Sequence, residues 1–199
     1  NVGAGRNALQ MDSERFWAVM DRLGFGRAIG TEYPGEASGR LNDFDRWARI
    51  DQATLSYGYG ISVSALQLAQ AYATLANDGL YLSPTLLKRD HAPASQRVFS
   101  RQTAQAVRQM LEGVVGPEGT APEAAVPGYR VAGKTGTVKK LGKRGYSDDR
   151  YLSLFAGIAP AEKPRVVMVV VIDEPRGEDF YGGKVAGPGP AVVIPPVAK

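Results

Sequence analysis

Apolar residues recur at helical spacing at Phe16, Met20 and Leu23, with Trp17 beside them, and this predicts a helix. Asp12 can cap its start and Gly24 can end it. The Gly- and Pro-rich stretch 24–41 reads as a loop, with Tyr33-Pro34-Gly35-Glu36 as a turn. Ser64 and Gln67 then have the spacing of a capping box. They precede Leu68 to Ala76, a run apolar almost all round and rich in alanine, which predicts a buried helix ended by Gly79. Ser100 caps a third helix, in which Val107, Met110, Leu111 and Val114 form one apolar stripe.

From residue 129 the period changes. Residues 129–139, 151–159 and 164–172 read as three strands. Val166 to Ile172 shows no alternation, which predicts burial on both faces. Short connections suggest an antiparallel meander. Helices come first and strands after, so the expected fold is α/β of the α+β kind, with helices packed on an antiparallel sheet. No internal repeat, low-complexity tract or composition shift marks a second domain.

Composition adds limits. The chain has 199 residues, 44% apolar and 22% charged, enough for one domain with a core. It has no cysteine, so neither disulfides nor thiolate chemistry are available. The lone His91, in His91-Ala92-Pro93, has no ligand partners at metal-binding spacing and reads as a surface loop residue; no metal or other cofactor is expected. The net charge of +4 reads as solvated charge. The basic run Lys139, Lys140, Lys143, Arg144 is short and reads as a hairpin loop next to a site; no nucleic-acid partner is expected. No apolar run approaches the ~20 residues of a membrane helix. The chain begins at Asn1 without a signal pattern, so any membrane anchor is expected outside it.

Lys134-Thr135-Gly136-Thr137 is the most informative short stretch. It lies inside an expected strand, where Gly133 and Gly136 weaken pairing and call for a reason, such as close approach of another backbone or a ligand. The Lys134 charge and the hydroxyls of Thr135 and Thr137 suit a carboxylate on an extended peptide added as a strand. By itself the tripeptide is better read as an edge strand with a glycine bulge and a surface lysine. Lys-Thr-Gly is also one of three motifs of class A β-lactamases and penicillin-binding proteins, beside S-x-x-K and S-D-N.

Other stretches join it in order and spacing. Val131 to Thr137 resembles that element of the class B penicillin-binding proteins, the septal members in particular. Ala53-Thr54-Leu55-Ser56-Tyr57-Gly58-Tyr59-Gly60 is similar to the family's signature before its long central helix. Ser153-Leu154-Phe155-Ala156-Gly157 resembles the strand after the motif. Ile172-Asp173-Glu174-Pro175 with Tyr181-Gly182-Gly183 resembles the last hairpin, and Asn1-Val2-Gly3 the end of the S-x-N motif. The likeness runs from Asn1 to about Pro188, nearly the whole chain.

The resemblance implies a serine transpeptidase/β-lactamase-like fold, present here as the C-terminal part of the domain over 1–188, with an atypical Pro-rich tail at 189–199. It implies peptidoglycan D,D-transpeptidation in septal cell-wall synthesis. A serine attacks a terminal D-Ala-D-Ala stem peptide, D-Ala leaves, and an amine resolves the acyl-enzyme; β-lactam antibiotics mimic the donor. Carried over by position, Lys134, Thr135 and Thr137 would hold the donor or drug carboxylate. The Thr137 N–H would form half of the oxyanion hole, and Asn1 would bond the substrate amide; a frayed terminus is the other reading of Asn1. Gly136, Tyr59, Tyr151, Phe180 and Tyr181 are assigned to substrate binding, with packing of hairpins and core as the alternative for the aromatics. Tyr57 reads as packing. Asp173 and Glu174, as neighbours on a strand, should point to opposite faces and not share one substrate; Asp173-Glu174-Pro175 reads as a strand end and turn. Location at the inner membrane facing the periplasm, and division partners, follow from the resemblance alone.

Two departures stand out. No serine in the chain is followed by lysine three places later, so S-x-x-K is expected upstream, in an N-terminal fragment of a larger polypeptide. The family also continues past Pro188 into a helix, whereas Pro190, Pro195 and Pro196 should forbid a regular one here. Two rival readings remain: a serine β-lactamase-like hydrolase and a non-catalytic cell-wall scaffold.

Overall fold

The computed structural model describes residues 1–91, 93–142 and 145–194, without the side chains of Ser147 and Asp148. Lys143, Arg144, Pro195 and Pro196 therefore lie outside the described residues. The described chain separates into two compact units, a division that composition does not signal: 1–71 with 80–98, and 72–79 with 99 onward.

The first unit holds α1 (Val2–Ala8), α2 (Ser13–Arg22), α3 (Arg49–Leu55), the first half of α4 (Ala65–Ala76), and a two-stranded ribbon of β1 (Leu80–Leu82) and β2 (Ser95–Arg97). The Asp12 side chain caps α2 by accepting the Arg15 N–H, as expected. The aromatic side of α2 packs on a 3-10 turn at Phe44–Arg46, with Phe16 edge-on to Trp47 and Trp17 tilted on Phe44, each at 5.9 Å.

Two polar side chains organise the 24–41 loop. The Glu36 carboxylate accepts the N–H groups of Ile29, Gly30 and Thr31 and the Thr31 hydroxyl. Gln67 completes the capping box with Ser64, and its amide nitrogen also donates to the carbonyls of Gly24, Arg27 and Ser38. The α4 expectation needs correction here. Its buried residues are Gln67, Gln70, Ala71 and Thr74, while Leu66 is exposed. The buried stripe is largely polar because glutamine amides satisfy loop and strand carbonyls, including that of Leu82.

The second unit is a sheet covered on both faces. It contains the end of α4, then α5 (Arg101–Glu112), β3 (Ala132–Gly142), β4 (Gly145–Ala159), β5 (Val166–Asp173), α6 (Gly182–Val185) and α7 (Gly189–Val193). Strand order is β3-β4-β5, antiparallel throughout. Ser100 caps α5 by accepting the Thr103 N–H. On one sheet face, Ala132 and Ile158 meet Tyr72, Leu75 and Leu111 from α4 and α5. On the other, Phe155 sits among Val115, Ala121, Ala124, Val126 and Ala186. Burying a ring of this size stabilises by roughly 1.5–3 kcal/mol. Arg108 of α5, 6% exposed, fastens the α4 end by donating to Leu75 O and pairing with Asp78.

Three further expectations change. Among the described residues β5 pairs with β4 alone, and its apolar run is not buried on both faces: Val166 is 43% and Val171 39% exposed. After Asp173 the chain forms a loop and then α6, not a hairpin. Pro190 does not forbid a helix, because it sits in the first turn of α7, where its missing N–H is not needed.

Candidate active site

β3 is an edge strand among the described residues, so alternate backbone N–H and C=O groups along it point away from β4. That edge carries Lys134-Thr135-Gly136-Thr137, paired in register with Ala156, Phe155, Leu154 and Ser153. Strand alternation puts Thr135 and Thr137 on the Phe155 face and Lys134 on the other. What lysine and threonines share is the free edge.

The polar groups are engaged but not saturated. Exposed Lys134 donates from Nζ to the Thr135 carbonyl at 2.9 Å, using one of three protons. The Thr135 hydroxyl lies 3.2 Å from the Thr120 hydroxyl. Thr137 Oγ accepts the Gly182 N–H at 2.9 Å, which leaves its own proton available to an incoming anion. Fully buried Ser153, across the pair from Thr137, donates to the Phe180 carbonyl.

Gly136 and Gly133 are explained by packing. A Cβ on Gly136 would come 2.8 Å from the Leu154 side chain, and one on Gly133 would enter the Phe155 ring. Another backbone does approach the motif: α6 begins so near β3 and β4 that a Cβ on Gly182 would lie 2.3 Å from Gly136 O and 2.5 Å from Leu154 O. The glycine that this contact requires is Gly182.

Tyr151, Phe180 and Tyr181 come together as a continuous stack. Tyr151 and Phe180 are 4.1 Å apart at 14°, and Phe180 and Tyr181 are 4.5 Å apart at 30°. Tyr181 is 59% exposed, so the stack ends in an open aromatic face. Asn1 and Tyr59 belong to the other unit. Asn1 precedes α1 without a side-chain capping bond. Tyr59 packs edge-on to Tyr57 at 6.0 Å, and Tyr57 also lies beside Gly5 of α1, in keeping with a packing role for Tyr57.

Asp173 closes β5 and Glu174 lies beyond it, as a strand end and turn would have it, but the two carboxylates are not held on opposite faces. Both accept from Lys140 Nζ, at 2.7 and 2.8 Å. Glu174 is past the strand end with φ of +50°, so strand alternation no longer separates the two carboxylates. These two bonds, Asp173 first, push the Lys140 pKa up. In the last turn of α6, Lys184 pairs with Glu123; the bond lowers the pKa of the carboxyl and raises that of the amine. Sequence reasoning missed Thr120, Ser153 and Gly182 as supports of the site. Ser153 and Gly182 lay in stretches flagged by the resemblance, Ser153 to Gly157 and Tyr181-Gly182-Gly183, but nothing there singled them out; Thr120 lay in none.

Comparison with known proteins accords with this geometry. Residues 1–194 match the family model described as the penicillin binding protein transpeptidase domain. The chain is 41% identical over 188 residues, 94% of its length, both to the probable peptidoglycan D,D-transpeptidase PenA of Neisseria meningitidis and to the peptidoglycan D,D-transpeptidase FtsI of Escherichia coli. It spans 32% of each, about a third of their length. Among solved structures, the transpeptidase domain of Burkholderia pseudomallei penicillin-binding protein 3 in its apo form superposes with a TM-score of 0.91 at 44% identity, over 100% of this chain and 63% of that one. Penicillin-binding protein 3 of Mycobacterium tuberculosis complexed with aztreonam gives 0.88 at 36% identity, over 96% and 47%.

Proposed function

We propose, for a chain that belongs to the penicillin-binding protein transpeptidase-domain family, that it supplies the Lys-Thr-Gly half of a peptidoglycan D,D-transpeptidase site. The observation that carries this is the edge strand β3. Its free backbone edge, Lys134 and the Thr137 hydroxyl converge where an extended peptide ending in a carboxylate could add as a strand.

In this reading the donor is a D-Ala-D-Ala stem peptide of septal cell wall, and β-lactams enter in its place. Lys134 and the Thr135 and Thr137 hydroxyls hold the carboxylate, with Gly136 keeping the strand close. The Thr137 N–H provides one oxyanion donor, of a kind worth about 10²–10³ in rate. Tyr151, Phe180 and Tyr181 border the pocket, and the resemblance assigns Asn1 to the donor amide and Tyr59 to substrate binding. Residues 1–188 then form the C-terminal part of the domain, and 189–199 a tail. The nucleophilic serine and its lysine belong to an N-terminal segment of the parent polypeptide, which we place at the inner membrane facing the periplasm, with division proteins as partners.

Labelling the full-length parent with a fluorescent penicillin, followed by peptide mapping, tests this. A stable label on a serine of an S-x-x-K segment, outside residues 1–199, is expected. A folded protein that takes no label would mean a scaffold. Rapid turnover of the drug would mean a hydrolase.

A further inference from the structure

Thr137 and Ser153 face each other in register on β3 and β4. Their hydroxyls grip one short piece of backbone from its two ends. Ser153 donates to the Phe180 carbonyl, and Thr137 accepts the Gly182 N–H at 2.9 Å. Between those ends is Tyr181, the exposed end of the Tyr151–Phe180–Tyr181 stack. Ser153 is fully buried, and its partner in register on β5 is Ile172. A hydroxyl in such a place costs free energy unless it is bonded. Here the bond goes to the loop after β5 rather than to the sheet.

We infer that Ser153 is a positioning residue. Its bond to the Phe180 carbonyl fixes the aromatic stack against the end of the β3 motif, and thereby sets a preference for acyl donors that carry an aromatic side chain. Ser153 touches no reacting atom; it acts through Phe180 and Tyr181. The inference rests on the transpeptidase reading above, in which the stack borders the acyl-donor pocket.

The test uses the full-length protein with Ser153→Ala and Ser153→Thr. Acylation rate constants are measured with ampicillin, which bears a phenyl side chain, and with 6-aminopenicillanic acid, which bears none. Hydrogen exchange is followed over residues 174–183. Loss of one such bond is expected to slow ampicillin roughly 5- to 10-fold and leave 6-aminopenicillanic acid within about twofold. Exchange at 179–182 should rise, and Ser153→Thr should restore both. Equal slowing of the two probes, or no slowing of ampicillin, would overturn the inference. Should the alanine variant not fold, Ser153→Cys, a weaker donor of similar size, carries the same comparison. If the wild type is acylated by neither probe, the transpeptidase reading has failed; unchanged exchange in Ser153→Ala would then separately sink the clasp.

Discussion

The ring of Phe155 lies across Gly133. A Cβ on Gly133 would come 2.3 Å from Phe155 Cζ, and one on its register partner Gly157 would come 2.7 Å from Cε1. The two glycines make a flat floor for the largest fully buried side chain of the molecule's described part. The glycine before Lys134 thus serves the core directly behind the motif. Gly133→Ala should overpack this floor and destabilise by about 1–3 kcal/mol. Phe155→Ala should cost about 3–5 kcal/mol. Because the two sites touch, the double variant should lose less than the sum, as read from denaturant midpoints of the full-length protein.

Arg108 is a second internal support. Its guanidinium is buried, donates to Leu75 O at 2.6 Å and pairs with Asp78 at 3.0 Å. Arg108→Ala leaves that carbonyl and that carboxylate without it. The expected loss is about 2–4 kcal/mol. Arg108→Lys should recover only part, since one ammonium does not reproduce the fork. Thermal unfolding of both variants checks this.

Glu36 makes the 24–41 loop sensitive to acid. Its carboxyl is held below the ordinary value of 4.5, chiefly by the Ile29 N–H and then by the Thr31 and Gly30 donors, against the opposing effect of burial. A depressed folded pKa means the stabilisation is fully present above the unfolded value and is lost as pH falls through the folded one. Protection of the Ile29 and Thr31 amides from hydrogen exchange should fall on acidification below that range. In Glu36→Gln it should be low and flat with pH. Protection in Glu36→Gln equal to the wild type would contradict this account.

What the sequence disclosed follows from the range of the interactions. Asp12 and Ser100 announced α2 and α5 because caps act within one turn. The expected strands 129–139, 151–159 and 164–172 overlap β3, β4 and β5. But β3 runs on through Lys139 and Lys140 to Gly142 and β4 begins at Gly145; that polar end of the hairpin carries no apolar run to announce it. Misreadings came from partners far along the chain. Gly133 is explained by Phe155, 22 positions on by number. Burial of Gln67 depends on carbonyls of a loop 29 to 43 residues away. Val166 to Ile172 read as doubly buried because composition does not tell how a strand's faces are covered. Lys134, Thr135, Thr137 and the three aromatics were singled out by the motif and the resemblance, and the structure sets the first three on the β3 edge and stacks the aromatics together. Ser153 and Thr120 were not singled out, since a serine in a strand and a threonine in a loop carry no local signal of what they bond.

The central claim is that the β3 edge holds a carboxylate through Lys134. It is tested most directly by comparing acylation of the full-length protein by a penicillin and by its methyl ester, in the wild type and in Lys134→Ala. The account expects esterification to slow the wild type roughly 10- to 100-fold, the worth of a charged hydrogen bond, and to make little difference to Lys134→Ala, already slow with the free acid. A Lys134→Ala protein that acylates like the wild type, or still discriminates fully against the ester, would contradict it.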